Sequence, residues 1–203
     1  MRKTGGNVKI KRILVYGPIG SGKSSLLEIF KEWGAFTVDC DKVAHNILEH
    51  DLEVSSILNQ HFGESIFESG KISRKKLATA AFSNRSSIEF LEKLLLPKVT
   101  DAVEQVYQQV RQKPFKAFVV EASNYHKSLP YWDDFFDTKI AVIADEEVRL
   151  KRAIKRGFSA DEFNQRAALQ PRQEHFLNEA DVIFYNNQTL NELKQQFLNK
   201  VST

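Results

Sequence analysis

Apolar residues along this chain form short continuous runs, and most of these runs are followed by stretches with helical spacing. The continuous runs span Ile10 to Tyr16, Ala35 to Val38, Phe115 to Val120, Lys139 to Ala144 and Val182 to Tyr185. Runs of this length are typical of parallel strands that are buried on both faces. Since helical stretches separate the predicted strands, the pattern indicates an α/β fold built around a parallel sheet.

Two stretches have helical spacing without a convincing strand. The first runs from Asp51 to about Gln112, and its clearest helix covers about residues 86–110. Pro97 lies inside that helix and is expected to break or kink it, because proline cannot donate a backbone hydrogen bond. The second stretch, Glu146 to about Asn178, is rich in arginine. We interpret the first stretch as a helical insertion and the second as a candidate lid.

Composition and charge favour a globular enzyme. The chain has 203 residues, of which 42% are hydrophobic, which is enough for one domain with a core and an insertion. The formal net charge of +3 is small and predicts neither a nucleic-acid nor a membrane partner. Residues 1–12 lack the apolar core of a signal peptide, and no later stretch approaches the length of a membrane-spanning helix. The single cysteine, Cys40, excludes an internal disulfide. We therefore expect a cytoplasmic protein.

The segment from Gly17 to Ser24 carries the clearest chemistry, because it fits the pattern G-x-x-x-x-G-K-[ST] between a predicted strand and a predicted helix. Its glycines allow backbone N–H groups to approach a polyphosphate, and the following helix directs its positive end to the same place. Lys23 is expected to reach the β and γ oxygens and Ser24 to bind Mg²⁺. The predicted nucleotide ligands are Pro18, Ile19, Gly20, Ser21, Gly22, Lys23, Ser24 and Ser25.

Acidic residues follow several of the predicted strands. In parallel sheets the ligand lies beyond the carboxyl ends of the strands, so Asp39, Asp41 and Glu121 are candidate site residues. On an extended segment Asp39 and Asp41 would point the same way. Alternatively, Asp41 caps the next helix while Asp39 is a solvated turn residue. Glu121 directly follows a predicted strand, as does the acid that orients magnesium-bound water in phosphate-loop proteins. Alternatively, it is a surface residue at the end of that strand. Asp145 is expected to cap the helix that begins at Glu146.

The arginines of the candidate lid have two readings. Arg149, Arg152 and Arg156 are spaced three and four apart, which places them on one face of one helix. Such a charged face is usually only solvated. As part of a lid, however, the guanidinium groups would close over a triphosphate and balance the charge that develops during transfer. The predicted phosphate loop favours the second reading for at least one of them.

Taken together, these features resemble the dephospho-CoA kinase family, and the resemblance extends from about Lys11 to Val201. It rests on the glycine loop, on Asp39-Cys40-Asp41 and on the Gly70 to Leu77 pattern. The supporting elements are Phe62-Gly63, Gln170-Pro171-Arg172 and the stretch from Asp181 to Asn187. Members of this family phosphorylate the ribose 3′-hydroxyl of dephospho-CoA with MgATP, the last step of coenzyme A synthesis.

The resemblance implies a three-layer fold of the P-loop kinase class, similar to nucleoside-monophosphate kinases. The single domain would have a core of about residues 10–41, 113–145 and 179–203, an acceptor-binding insertion of about 42–112 and a lid of about 146–178. It implies ATP and Mg²⁺ as cofactors, dephospho-CoA as the small-molecule substrate, and a monomer or weak homo-oligomer. The resemblance implies that Asp41 is the base and that Lys23, Arg149 and Arg152 also take part in catalysis. Arg152, Arg156 and Asn186 would contact the nucleotide, and Asp39 and Ser24 would bind the metal. Asp41, Arg74 and Glu121 would contact the acceptor.

Three departures from the family pattern fall on the acceptor side. His45 replaces an arginine, and Leu96 replaces a histidine before Pro97. The stretch from Glu121 to Lys127 replaces a run in which an acidic residue is followed by Val-Pro-Leu-Leu-Phe-Glu. Two alternatives therefore stay open: another small-molecule, nucleoside or nucleotide kinase on this scaffold, and a non-catalytic ATP-binding homologue. The chain has no Asn-Lys-x-Asp motif, which disfavours a GTPase switch.

Overall fold

The computed structural model describes residues 9–123, 132 and 134–201. Within these residues, the strands are β1 (Lys11–Tyr16), β2 (Phe36–Asp39), β3 (Phe67–Glu68), β4 (Lys71–Ile72), β5 (Ala117–Glu121), β6 (Thr138–Ile143) and β7 (Val182–Tyr185). The α-helices are α1 (Lys23–Trp33), α2 (Cys40–His50), α3 (Leu52–Phe62), α4 (Arg74–Ala81), α5 (Arg85–Val110), α6 (Glu146–Lys155), α7 (Ala160–Ala168), α8 (Gln173–Asn178) and α9 (Leu190–Lys200). The predicted alternation of strands and helices is confirmed.

In the described part of the chain, five strands form a parallel sheet in the order β2-β5-β1-β6-β7. Every residue of β5 is buried, as are the last four residues of β1 and of β6. The continuous apolar runs thus correspond to strands that are covered on both faces. β1 is the central strand, and the chain leaves it to reach β2 on the far side of β5. The carboxyl end of β1 is therefore at a topological switch point, where ligands bind in open α/β sheets.

The chain divides into two compact units, one containing the parallel sheet and the other consisting of Cys40–Val106. In the first unit, α1 and α9 pack through Phe30 and Phe197, whose ring centroids lie 4.9 Å apart in an edge-to-face arrangement. Trp33 adds a second edge contact with Phe197 at 5.7 Å. This cluster anchors α1, whose first residues follow the phosphate loop, on buried side chains of the sheet such as Val15 and Val119.

The second unit has a small core of its own, formed by the buried side chains of Val54, Leu58, Ile66, Leu77 and Leu95. β3 and β4 pair antiparallel through only two residues each. The absence of a longer strand between Asp51 and Gln112 agrees with the sequence prediction. This unit is therefore mainly helical, with a minimal hairpin.

The helix α5 runs through Pro97 without interruption, so of the predicted break or kink the break is wrong. A proline inside a helix costs about 3 kcal/mol. Leu95 and Val99 lie on either side of it and are 9% and 4% exposed. Because burying each large apolar side chain contributes about 1.5–3 kcal/mol, the packing of this helix face offsets the lost hydrogen bond.

Other boundaries shift by a few residues. β2 begins at Phe36 and includes Asp39, one residue later than predicted. The arginine-rich stretch is helical as predicted, but it is divided into α6, α7 and α8, because Gly157 adopts a φ of 94° after the first piece and Pro171 precedes the last. None of the helices in the described ranges has the combination of length and hydropathy that crossing a membrane requires.

Candidate active site

The phosphate loop connects the carboxyl end of β1 with the first turn of α1. Gly22 is the N-cap of α1 and has φ 99° and ψ 23°, a left-handed conformation that side chains rarely adopt. Gly17 lies against β6, where an added Cβ would come within 2.2 Å of the Val142 carbonyl oxygen. The two glycines therefore allow both the turn and the close approach to the sheet, and the N–H groups at the start of α1 point into the loop.

Three side chains from distant parts of the chain bind the carbonyl groups of the loop. Arg149 Nη1 donates to the Ile19 carbonyl at 3.3 Å, and Arg152 Nη1 donates to the Ser21 carbonyl at 3.3 Å. Asn186 Nδ2 donates to the same Ser21 oxygen at 2.8 Å, while Asn186 Oδ1 accepts from Arg152 Nη2 at 3.4 Å. These donors restrain the carbonyl groups of Ile19 and Ser21, and so they hold the backbone of the loop in place.

The N–H side of Ile19 is also bound, by a residue to which the sequence gave no role. The Ile19 N–H donates to Gln170 Oε1 at 2.8 Å. Gln170 lies in the turn between α7 and α8, 151 residues away along the chain. The family resemblance included Gln170 only as part of the Gln170-Pro171-Arg172 element, and only the fold shows that it lies at the loop.

Lys23, Ser24 and Glu121 lie together at the end of the loop. Lys23 is 6% exposed, and its Nζ donates to the Pro18 carbonyl at 3.2 Å. Ser24 Oγ donates to Glu121 Oε1 at 3.4 Å. Glu121 is itself 6% exposed, so the reading of this residue as a surface carboxylate is wrong. A hydroxyl beside a buried carboxylate supplies the hard oxygen atoms that Mg²⁺ prefers.

The acids that follow β2 have different environments. Asp39 is the last residue of the strand and pairs in register with Glu121, so both carboxylates lie at the same edge of the sheet. Asp41 is exposed in the first turn of α2, which begins at Cys40. The expected extended Asp39-Cys40-Asp41 segment is therefore wrong, and so is the expectation that Asp41 precedes its helix as N-cap. An acid in the first turn still interacts favourably with the helix dipole.

A predicted acceptor residue, Arg74, and a predicted helix cap, Asp145, lie away from the loop in sequence. Arg74 is exposed at the first position of α4, in the same unit as Asp41. Asp145 occupies the N-cap position of α6, but its side chain makes no capping hydrogen bond. Its backbone N–H instead donates to Asn187 Oδ1 at 2.8 Å.

The candidate lid arginines differ strongly in burial. Arg149 is 9% exposed, and burial lowers its pKa, while the nearby Glu146 opposes that shift. Burial also lowers the pKa of Arg152, with a further contribution from the charge of Arg156. Arginine nevertheless remains charged at neutral pH, because its ordinary pKa lies far above 7. Arg156 is exposed at the C-cap of α6, so only the first two arginines are held against the loop.

Several polar groups around the loop are suited to an anionic ligand. Ser21 Oγ and Arg149 Nε are buried without a partner among the described residues. Buried polar groups in this state are commonly satisfied by a bound water, ion or ligand. In the ranges that the structure describes, no group of three or more His, Cys, Asp or Glu side chains could hold a metal by itself. Lys23, Arg149 and Arg152 bring positive charge to the loop, which is suited to a polyphosphate.

The positions that depart from the family pattern are only partly described. His45 lies in α2 and Leu96 lies in α5, both in the second unit. His45 Nδ1 is buried without a partner among the described residues. Asn124 to Lys127 lie outside the described residues.

Comparison with known proteins shows which family and which fold this chain resembles. The family model described as dephospho-CoA kinase matches residues 12–192. The dephospho-CoA kinase of Protochlamydia amoebophila is 35% identical over 191 residues, which cover 93% of each chain. Among solved structures, the dephospho-CoA kinase from Campylobacter jejuni has a TM-score of 0.68 at 27% identity, covering 94% of this chain and 95% of that one. A protein of Thermus thermophilus has a TM-score of 0.78 at 22% identity, covering 96% and 97%, and shows the same fold.

Proposed function

The chain belongs to the dephospho-CoA kinase family, and we propose that it transfers the γ-phosphate of ATP to the ribose 3′-hydroxyl of dephospho-CoA, giving CoA and ADP. The observation that carries this proposal is the family match over residues 12–192, which includes both the phosphate loop and the whole second unit. As a P-loop kinase, the protein uses ATP as its phosphate donor.

On the donor side, the loop N–H groups and Lys23 hold the phosphates. Arg149 and Arg152 supply two positive charges beside the loop, supported by their contacts with the Ile19 and Ser21 carbonyl groups. In phosphoryl transfer the protein does little covalent chemistry, and most of the rate comes from positioning and charge stabilisation. Guanidinium groups that are at least partly desolvated and held in place are suited to this role, because they need little reorganisation.

Mg²⁺ fits the oxygen atoms of Ser24 and Glu121, with Asp39 at the same sheet edge. When bound, the ion neutralises charge on the β and γ phosphates. Few protein ligands are needed, because Mg²⁺ usually keeps several waters and binds substrate phosphates. Asp41 is the candidate base for the acceptor hydroxyl, and Arg74 the candidate contact to the acceptor.

The proposal is tested by incubating the purified protein with MgATP and dephospho-CoA. ADP and CoA should appear in equal amounts, and phosphorus NMR should identify a new 3′-phosphate monoester. Lys23→Ala should abolish the reaction, whereas Lys31→Ala, an exposed lysine of the same helix, should retain it. Turnover of Asp41→Ala within a few-fold of wild type would remove Asp41 as the base.

Two outcomes would favour other functions. A nucleoside or nucleotide that releases ADP faster than dephospho-CoA in a panel of acceptors would identify another small-molecule kinase. Tight ATP binding without ADP formation for any acceptor would identify a non-catalytic homologue.

The cellular location and the oligomeric state are part of the same proposal. We infer a cytoplasmic enzyme, supported by the single Cys40, which suits a reducing compartment. A monomer or weak homo-oligomer is expected, and light scattering coupled to size-exclusion chromatography tests this over a range of concentrations.

A further inference from the structure

We propose that Gln170 is a positioning residue that holds the phosphate loop in its ATP-binding conformation. The proposal rests on the kinase function proposed above, since it assigns a role in ATP binding to a residue whose side chain accepts a hydrogen bond from the loop backbone. It concerns one peptide segment, at Ile19, near the middle of the loop.

Ile19 is held from both sides by the arginine-rich stretch. Its N–H donates to Gln170 Oε1 at 2.8 Å, and its carbonyl accepts from Arg149 Nη1 at 3.3 Å. Arg149 lies in α6 and Gln170 follows α7, so the two ends of this stretch bind the two polar groups of one residue. A backbone residue restrained at both its N–H and its C=O cannot rotate without breaking a hydrogen bond, and this restrains the loop that follows.

The backbone around Gln170 is itself well anchored. α7 ends at Ala168, and Pro171 disfavours a helical conformation at the residue before it. The next helix, α8, is attached to the end of β1, because the Tyr16 hydroxyl donates to the Phe176 carbonyl at 3.0 Å in a buried position. The Tyr16 and Phe176 rings also pack, with centroids 6.1 Å apart. Tyr16 immediately precedes Gly17, the first residue of the loop. The same residue therefore holds both the start of the loop and the helix that follows Gln170.

The chemistry of the side chain suits this role. A glutamine amide oxygen accepts a hydrogen bond from Ile19 without bringing negative charge close to a polyphosphate. A carboxylate would accept the same hydrogen bond but would repel the ligand. An apolar side chain of similar length would leave the Ile19 N–H without this partner, and the loop would lose one of its two restraints at that residue.

Two substitutions separate these effects. Gln170→Met removes the acceptor at similar length, and Gln170→Glu keeps an acceptor but adds a charge. Gln165→Met is the matched control, because Gln165 is an exposed glutamine of α7. For each variant, ATP binding is measured by calorimetry without acceptor, and exchange of the Ile19 amide proton is followed by NMR.

Gln170→Met should weaken ATP binding about three- to tenfold, the range that corresponds to one lost hydrogen bond, and should accelerate exchange of the Ile19 amide proton. The KM for ATP should rise more than the KM for dephospho-CoA. Gln170→Glu should leave the Ile19 amide protected and still weaken ATP binding. Gln165→Met should change neither quantity.

Unchanged ATP affinity and unchanged Ile19 exchange in Gln170→Met would overturn the proposal. So would a loss of thermal stability with unchanged Ile19 exchange, since that result indicates only a packing role. If Gln170→Met does not fold, Gln170→Glu decides, because it must combine a protected Ile19 amide with weaker ATP binding. Both measurements are made without acceptor, so a failure of dephospho-CoA as substrate is distinguished from a failure of this proposal.

Discussion

The side-chain amide of Asn186 donates to the Ser21 carbonyl at 2.8 Å, which connects the residue after β7 with the phosphate loop. Asn186 is 5% exposed, and its own backbone N–H donates to the Ile143 carbonyl at 2.8 Å. Asn186 is therefore hydrogen-bonded both to the last residue of β6 and to the phosphate loop. The resemblance places Asn186 at the adenine, and this role stays a prediction, whereas its contacts in the structure support the loop.

The closeness of Asn186 to Gly22 predicts that the loop does not tolerate alanine there. A Cβ on Gly22 would lie 2.0 Å from Asn186 Nδ2, so either the loop or Asn186 has to move. Gly22→Ala should therefore reduce ATP affinity by at least about tenfold, a loss of about 1.4 kcal/mol. Calorimetric titration with ATP measures this directly.

Gly34 provides a closely matched control. Its φ of 104° and ψ of 20° are nearly those of Gly22, but a Cβ there would meet the Lys116 side chain only at an ordinary 3.8 Å. Gly34→Ala should cost about 1–2 kcal/mol of stability through its left-handed conformation and leave ATP affinity unchanged. Equal losses of ATP affinity in both variants would show that backbone strain, rather than the contact with Asn186, determines the result.

The difference in burial among the lid arginines predicts unequal effects on catalysis. Arg149→Lys and Arg152→Lys should each lower kcat by about 100-fold, comparable to the removal of one preorganised donor, because lysine lacks the planar fork. Arg156→Lys should change kcat less than threefold, since Arg156 is exposed. Steady-state kinetics at saturating ATP compare the three variants. A larger effect at Arg156 than at Arg149 would contradict this prediction and assign the catalytic role to the C-terminal end of α6.

The contact between Ser24 and Glu121 predicts a change in metal dependence. Glu121→Gln keeps the shape of the side chain and removes its charge beside Ser24 Oγ. The Mg²⁺ concentration at half-maximal rate should rise about tenfold, because a neutral amide binds the ion more weakly than a carboxylate. Asp39→Asn is the comparison, since Asp39 lies beside Glu121 in the sheet. A shift only in Asp39→Asn would transfer the metal contact to Asp39.

The ion pair between Arg12 and Asp137 predicts a pH-dependent contribution to stability. Arg12 Nη2 lies 2.7 Å from Asp137 Oδ1, and this contact lowers the pKa of Asp137. A lowered carboxyl pKa stabilises the folded state above the unfolded value of about 4, and this stabilisation is lost as the pH falls through the folded pKa.

Asp137→Asn should therefore lower the free energy of unfolding at pH 7 by about 1 kcal/mol, the net value of a typical hydrogen bond. The difference from wild type should shrink progressively once the pH falls below about 4. Urea unfolding curves at a series of pH values measure both effects. A difference that stays constant down to the lowest pH would show that the charge of Asp137 does not contribute.

Residues close together in sequence account for most of what was predicted correctly. The phosphate loop and the buried strands follow from patterns within ten residues, because an apolar run or a glycine motif limits local conformation directly. The helix that contains Pro97 was predicted, but its continuity at that residue was not, since its stability depends on buried neighbours in the second unit. The geometry after β2 was also predicted wrongly, because no local signal distinguishes an extended Asp39-Cys40-Asp41 from a helix that begins at Cys40.

By itself, the sequence determined the donor chemistry of this protein: a strand, a glycine loop and a helix, with Lys23 and Ser24 at the positions that a polyphosphate requires. Only the tertiary structure decided how that loop is held. Gln170, Arg149 and Asn186 reach the loop from more than 120 residues away and bind its backbone. Backbone N–H and C=O groups are alike in every residue except proline, so the loop sequence does not show which distant side chains bind its backbone.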